Sequence, residues 1–61
     1  MQNKLRKEVK LLKALQGISY TELAEYLEIN RSSLYNWLKG QYDFSIQTVN
    51  RLQQIITNIK E

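Results

Sequence analysis

Cysteine, histidine and proline are absent from this chain of 61 residues, and glycine occurs only twice. Without cysteine or histidine, disulfides and the usual zinc-ligand sets are excluded, so we expect no structural metal and no cofactor. Stability must come from an apolar core, extended if needed by self-association. No apolar run reaches ten residues, so we expect neither a membrane span nor a signal-peptide core. These absences together predict a cytoplasmic protein without a membrane partner.

The usual catalytic residues are also missing. Histidine and cysteine are absent, and Asp43 is the only aspartate. Glu22 and Glu25 follow an ordinary helical pattern with no nucleophile beside them. We therefore expect that the chain is not an enzyme.

Positive charge is concentrated at the start of the chain. Residues 1–16 carry five cations and one acid, a net charge of +4, against +3 for the whole chain. Lys4, Arg6 and Lys7 lie near the start of the first predicted helix, where the helix dipole disfavours cations by about 0.3–1 kcal/mol each. A bound phosphate would offset this cost. The alternative is that these cations only keep the protein soluble.

Repeated capping signals divide the chain into four helices. Ser19 and Glu22 have the spacing of a capping box, Asn30 and Ser45 stand at two further N-cap positions, and Gly17 follows the first helix. No stretch alternates with the period of a strand. We predict a single all-α domain over residues 1–61, with helices at about 4–16, 20–27, 31–39 and 46–59.

The third predicted helix has two chemically distinct sides. Leu34, Trp37 and Leu38 follow at i, i+3 and i+4, and therefore point together towards a core. The rest of the helix surface carries Arg31, Ser32, Tyr35, Asn36 and Lys39. Arginine can bond two acceptors on a guanine edge, and asparagine can bond two groups on an adenine edge. Such a set suits the major groove of DNA, although a solvated polar face is the alternative.

A family resemblance rests on the segment GISYTELAEYLEINRSSLYNWLKG, which is followed by SIQTVNRLQQI. These segments, with the three-residue turn 28–30, resemble the lambda-repressor-like helix-turn-helix domain of Cro/C1 (XRE) type. The resemblance covers about residues 5–57 and implies a compact four-helix DNA-binding domain, here without the usual fifth helix. Two residues depart from the pattern, because Glu28 stands where glycine is common and Leu38 where a polar residue is typical.

The resemblance also implies roles for individual residues. Bases are expected to be read by Arg31, Ser32 and Asn36, with Tyr35 as a further candidate. Including the cations of the first helix, the predicted phosphate contacts are Lys4, Arg6, Lys7, Tyr20, Asn30, Lys39, Gln41 and Tyr42. For Tyr42, a role in covering the core is an equal alternative. A Lys13–Glu22 ion pair is expected to join the first two helices.

Three apolar residues suggest self-association. Ile55 and Ile59 broaden the apolar stripe of the fourth helix, and Leu38 has few expected core partners. We predict a homodimer through these residues, reading a pseudo-palindromic operator with half-sites about 34 Å apart. The alternative is that they only complete a small core.

The leading functional hypothesis is a sequence-specific, double-stranded-DNA-binding transcriptional regulator. It is most similar to a small repressor of a phage or mobile element, and no small-molecule effector is apparent. The alternative is a protein-interaction module, an antitoxin or an adaptor, that reuses the fold and docks through Tyr35, Tyr42 and Leu38.

Overall fold

The computed structural model describes residues 2–60, which form four α-helices and no strand. The helices are α1 (Asn3–Gln16), α2 (Tyr20–Leu27), α3 (Arg31–Leu38) and α4 (Ile46–Lys60). The predicted all-α, four-helix class is confirmed, and every predicted helix end lies within one residue of the observed end. Of the predicted domain 1–61, Met1 and Glu61 lie outside the described residues.

The junction between α1 and α2 is built from local capping groups. Gly17 has a φ of 69°, and its N–H donates to the Lys13 carbonyl at 3.0 Å. The Ser19 hydroxyl oxygen then accepts from the N–H groups of Thr21 at 3.1 Å and Glu22 at 3.4 Å. These bonds satisfy backbone groups that a helix end otherwise leaves unpaired, so α1 stops and α2 starts at defined residues.

The turn between α2 and α3 contains Glu28 in the left-handed conformation. Its φ is 59°, and it is the only described non-glycine residue with a positive φ. The backbone N–H groups of Glu28 and Ile29 bond back to the end of α2, the latter to Ala24 at 3.0 Å. An ion pair between Glu28 and Arg51, both exposed, also joins this turn to α4. Relative to glycine, the left-handed Glu28 costs about 1 kcal/mol.

The connection from α3 to α4 is longer and irregular. Gly40 has a φ of 85°, and its N–H donates to the Trp37 carbonyl at 2.9 Å. At the start of α4, the Ser45 hydroxyl oxygen accepts from the Thr48 N–H at 3.4 Å. The segment between these two caps has no regular secondary structure.

One apolar core joins all four helices and the α3–α4 connection. Its buried residues are Val9, Leu12, Leu23, Ala24, Leu27, Leu34, Trp37, Leu38, Phe44, Leu52 and Ile56. Trp37 is fully buried and stacks on Phe44, with ring centroids 4.3 Å apart and planes at 12°. The core therefore fixes the side of α3 that carries Leu34, Trp37 and Leu38.

Two expectations about packing are wrong. Leu38 is only 8% exposed, because it lies on the same side of α3 as Leu34 and joins the core; it is not the under-buried residue that the sequence suggested. The expected Lys13–Glu22 ion pair is not formed within residues 2–60. Instead, the Lys13 ammonium lies 5.0 Å from the ring centroid of Tyr20.

Candidate nucleic-acid interface

The exposed side of α3 presents the side chains predicted to read bases. We call Arg31, Ser32, Tyr35 and Asn36 the α3 strip; all four are exposed, while Leu34 and Trp37 behind them have no exposed surface. Within the described residues, no side-chain hydrogen bond or ion pair occupies the α3 strip. Its donors and acceptors are therefore available to an external partner, as reading of base edges requires.

A tyrosine from α2 supports one member of the α3 strip. The Tyr20 ring meets Tyr35 edge to face, with centroids 5.7 Å apart and planes at 89°. Lys13 of α1 lies over the Tyr20 ring and favours that ring's position by a cation–π contact. Burial raises the pKa of the Tyr20 phenol, and Tyr35 adds a smaller contribution in the same direction. Tyr20 therefore links α1, α2 and α3 at the edge of the strip.

Several predicted phosphate contacts border the α3 strip in the chain and are exposed. They are Asn30 at the start of α3, and Lys39 and Gln41 after its end. Asn30 has the extended backbone of an N-cap residue, but its side chain makes no capping hydrogen bond, contrary to its expected capping role. The amide of Asn30 is therefore not needed to hold the helix in place.

Tyr42 covers the core, one of the two roles considered for it. Its hydroxyl donates to the Ser33 carbonyl at 3.0 Å, and its ring meets Phe44 edge to face at 5.8 Å. The residue is nevertheless partly exposed. A phosphate contact by Tyr42 stays a prediction.

The cations of α1 divide into two groups. Lys4 and Lys7 are exposed, as a phosphate contact requires. Arg6 is only 5% exposed, so the prediction that it contacts phosphate is wrong for this fold. Its guanidinium is already used inside the protein, where it forms an ion pair with Asp43 at 3.0 Å and bonds to the backbone around the end of α3.

Sequence reasoning missed the group of contacts made by Gln2 and Arg6. These contacts join residues that are separated by 31 to 42 positions in the chain. The distant partners include Trp37, Tyr42 and Phe44. The available signal was the position of Arg6, three residues before the buried Val9 and therefore near the apolar side of α1. An arginine at that position is equally compatible with an exposed side chain, so the sequence pattern did not distinguish a buried Arg6 from an exposed one.

The family comparison agrees with this geometry. A model of the helix-turn-helix family, of Cro/C1 (XRE) type, matches residues 9–56, which include α2, the turn and α3. The chain belongs to this family. Cro/C1-type domains are DNA-binding regulators and are not typically enzymes. No curated protein and no solved structure matches the chain significantly.

The predicted dimer residues of this Cro/C1-type domain differ in how far they are buried. Ile55 and Ile59 are partly buried and line a shallow surface groove with Tyr26 and Asn58. Leu38 belongs to the core, so the prediction that it contributes to a dimer interface is wrong. Self-association through Ile55 and Ile59 stays a prediction.

Two features are absent from the described part of this Cro/C1-type domain. Residues 2–60 contain no group of three or more acidic side chains placed to hold a metal ion. None of their helices is long and apolar enough to cross a membrane.

Proposed function

We propose that the chain is a sequence-specific repressor of phage or mobile-element type, which reads the major groove of double-stranded DNA with α3. The observation that carries the proposal is the α3 strip, four exposed polar side chains on one short helix whose other side is anchored by Leu34 and Trp37. An anchored helix can place such side chains at base edges with a fixed register.

Each member of the strip has a chemical role in the proposal. Arg31 pairs with the two acceptors of a guanine, and Asn36 with the acceptor and donor of an adenine. Ser32 donates or accepts one hydrogen bond, and Tyr35, supported by Tyr20, packs on a thymine methyl group.

Phosphate contacts around the strip fix the orientation of the domain on the duplex. Asn30 directly precedes α3, and Tyr20 contacts Tyr35 in its middle. The residues after its end are Lys39, Gln41 and Tyr42. Lys4 and Lys7 add positive charge from α1. Contacts of this kind carry affinity and salt dependence but little sequence information.

Two copies are needed for useful specificity, since one short helix reads few base pairs. We propose that Ile55 and Ile59 of α4 pair two domains across a two-fold axis. The operator is then pseudo-palindromic, with half-site centres about 34 Å apart. Repression follows when the dimer covers a promoter that overlaps the operator.

Selection of bound fragments from random duplex DNA tests the proposal. The expected result is an enriched half-site that recurs as an inverted repeat. Fluorescence anisotropy with the selected duplex and an unrelated duplex then compares Asn36→Ala with Lys7→Ala. Asn36→Ala should cost about 1–3 kcal/mol on the selected duplex and little on the unrelated one. Lys7→Ala should weaken binding to both duplexes equally. It should also reduce the salt slope, the fall of log affinity with log salt concentration, by about 0.9.

Asn50→Ala is the matched control, because Asn50 is an exposed asparagine on α4 rather than on α3. It should bind both duplexes as the unaltered chain does. Equal losses on both duplexes for Asn36→Ala would contradict the role of Asn36. Absence of any salt-dependent DNA binding by the unaltered chain would overturn the proposal and favour a protein-interaction module, an antitoxin or an adaptor.

A further inference from the structure

Two side chains near the start of the chain, Gln2 directly before α1 and Arg6 in its second turn, hold the α3–α4 connection from a distance. We call Gln2 and Arg6 the α1 clamp, and residues 39–45 the α3–α4 loop. The Gln2 amide nitrogen donates to the Phe44 carbonyl at 3.0 Å. Its amide oxygen accepts from the Phe44 N–H at 2.9 Å and from the Trp37 indole N–H at 2.7 Å. One amide thus pairs both backbone groups of Phe44 as a neighbouring strand would.

Arg6 makes the second half of the clamp. Its guanidinium donates to the Trp37 carbonyl and, at 2.6 Å, to the Tyr42 carbonyl. The same group forms the ion pair with Asp43 and lies 5.1 Å from the ring centroid of Trp37. The guanidinium therefore joins the end of α3 to two successive residues of the α3–α4 loop.

Burial of a cation at this position needs a reason beyond filling space. Arg6 is the one buried polar or charged residue that the structure describes, in a core that is otherwise apolar. An apolar side chain would fill the volume without the cost of removing a charge from water. Only a donor-rich group can satisfy the Trp37 and Tyr42 carbonyls together, and only a cation can also neutralise Asp43.

The α3–α4 loop is the segment that gains from this arrangement. It carries Lys39, Gln41 and Tyr42, the phosphate contacts proposed at the end of α3. It also carries Asp43, a partly exposed acid whose charge would repel a phosphate at the same edge. The backbone N–H groups of Lys39, Gly40 and Gln41 bond back to α3, and the Tyr42 hydroxyl donates to Ser33. Residues 42–44 make no backbone–backbone hydrogen bond to another described residue, so the bonds from Gln2 and Arg6 hold the backbone of this part of the loop.

We propose that Gln2 and Arg6 are positioning residues for DNA binding, which rests on the function proposed above. They fix the α3–α4 loop against the end of α3, and Arg6 holds the charge of Asp43 away from the phosphates. The loop contacts and the α3 strip then meet the duplex as one surface. Without the clamp, α3 still reads bases, but the charge of Asp43 is no longer neutralised and the phosphate contacts around the end of α3 are weakened.

The experiment compares Arg6→Met with Arg51→Met on the selected operator duplex. Both variants lose one positive charge and one ion pair, but Arg51 pairs with Glu28 at the exposed α2–α3 turn. Binding is measured by anisotropy over a range of salt concentrations, at a temperature where circular dichroism shows each variant fully folded. Arg6→Met should bind about tenfold more weakly than Arg51→Met. The slope of log affinity against log salt concentration should be smaller in magnitude by about 0.9, because the unpaired Asp43 offsets about one phosphate contact. Its order of preference among operator variants should stay unchanged.

Gln2→Ala keeps the proposal testable if Arg6→Met does not fold. This variant removes the bonds to Phe44 without changing the net charge. It should lower the salt slope in the same direction and accelerate hydrogen exchange at the Phe44 N–H. A purely structural clamp would lower stability but leave the affinity and salt slope of the folded variants unchanged.

Each outcome decides one question. If the unaltered chain shows no salt-dependent DNA binding, the proposed function fails, and the positioning role fails with it. If the unaltered chain binds, and folded Arg6→Met and Gln2→Ala match Arg51→Met in affinity and slope, only the positioning role is overturned. A changed order of base preference in these variants would also overturn it, because the clamp would then act through the α3 strip.

Discussion

The two connections on either side of α3 are held in different ways. The α2–α3 turn is fixed by its own backbone, through the left-handed Glu28 and the bonds of Glu28 and Ile29 to the end of α2. The α3–α4 loop depends on Gln2 and Arg6, which lie more than thirty residues earlier. The turn is therefore specified locally, whereas residues 42–44 of the loop are held in place only after the start of the chain has packed against them.

The largest expected effect separates the ion pairs at these two connections. Arg6→Met should lower the free energy of unfolding by about 2–3 kcal/mol, because it leaves the carbonyls of Trp37 and Tyr42 without their charged donor. Arg51→Met should cost less than about 0.5 kcal/mol, since both partners of that pair are exposed. Urea unfolding followed by far-UV circular dichroism measures both values.

Arg6→Lys is the control for charge alone. Lysine keeps the positive charge but lacks the planar fork that reaches several acceptors at once, so an intermediate loss is expected. Equal destabilisation by Arg6→Met and Arg51→Met would show that the two connections do not differ in the way described.

A second effect on stability compares the N-cap residues of α2 and α3. Ser19→Ala should cost about 1 kcal/mol of unfolding free energy, because its oxygen caps two backbone N–H groups. Asn30→Ala should cost less than about 0.5 kcal/mol, since the Asn30 side chain makes no such bond. Thermal and urea unfolding of the two variants provide the test. A loss at Asn30 as large as at Ser19 would mean that the turn needs its side chain.

A smaller effect, this time a gain in stability, is expected at the α2–α3 turn. Glu28→Gly relieves about 1 kcal/mol of left-handed strain and removes an exposed ion pair worth less than that. The net result should be a stabilisation of about 0.5 kcal/mol, seen as a higher urea midpoint. Glu28→Gln, which removes only the charge, is the control. Destabilisation by Glu28→Gly relative to Glu28→Gln would contradict a locally strained turn.

The smallest expected effect is a pH dependence of stability. It involves Tyr20 of α2, whose ring contacts Tyr35 of α3. Burial, and secondarily Tyr35, raises the pKa of Tyr20 above its ordinary value of 10.0. The folded state therefore favours the neutral phenol. The stability that this provides is complete below about pH 10 and is lost as the pH rises through the folded-state pKa. Tyr20→Phe should show a smaller loss of stability than the unaltered chain between about pH 9 and pH 11.

Tyr26→Phe is the matched control, because Tyr26 is a well-exposed tyrosine on the same helix. The alkaline loss of stability in this variant should equal that of the unaltered chain. If Tyr20→Phe behaves in the same way as Tyr26→Phe, burial of the Tyr20 phenol does not contribute to the pH dependence of folding.

Local signals account for most of what the sequence predicted. Helix ends follow from caps such as Gly17 and Ser19, whose partners lie within four residues. The two sides of α3 follow from the spacing of Leu34 and Trp37. The burial of Arg6 was not predicted, because its acceptors in the α3–α4 loop become neighbours only in the folded chain. Leu38 was expected to have few core partners, although its own spacing from Leu34 pointed inwards.

The single tryptophan of the chain lies at the joint between α3 and its loop. Trp37 is fully buried, stacks on Phe44 and donates its indole N–H to Gln2, yet it is not part of the α3 strip. Its intrinsic fluorescence is therefore a built-in reporter of the joint. Opening of the loop would expose the indole to water and shift its emission to longer wavelengths, without a label and without altering any side chain proposed to touch DNA.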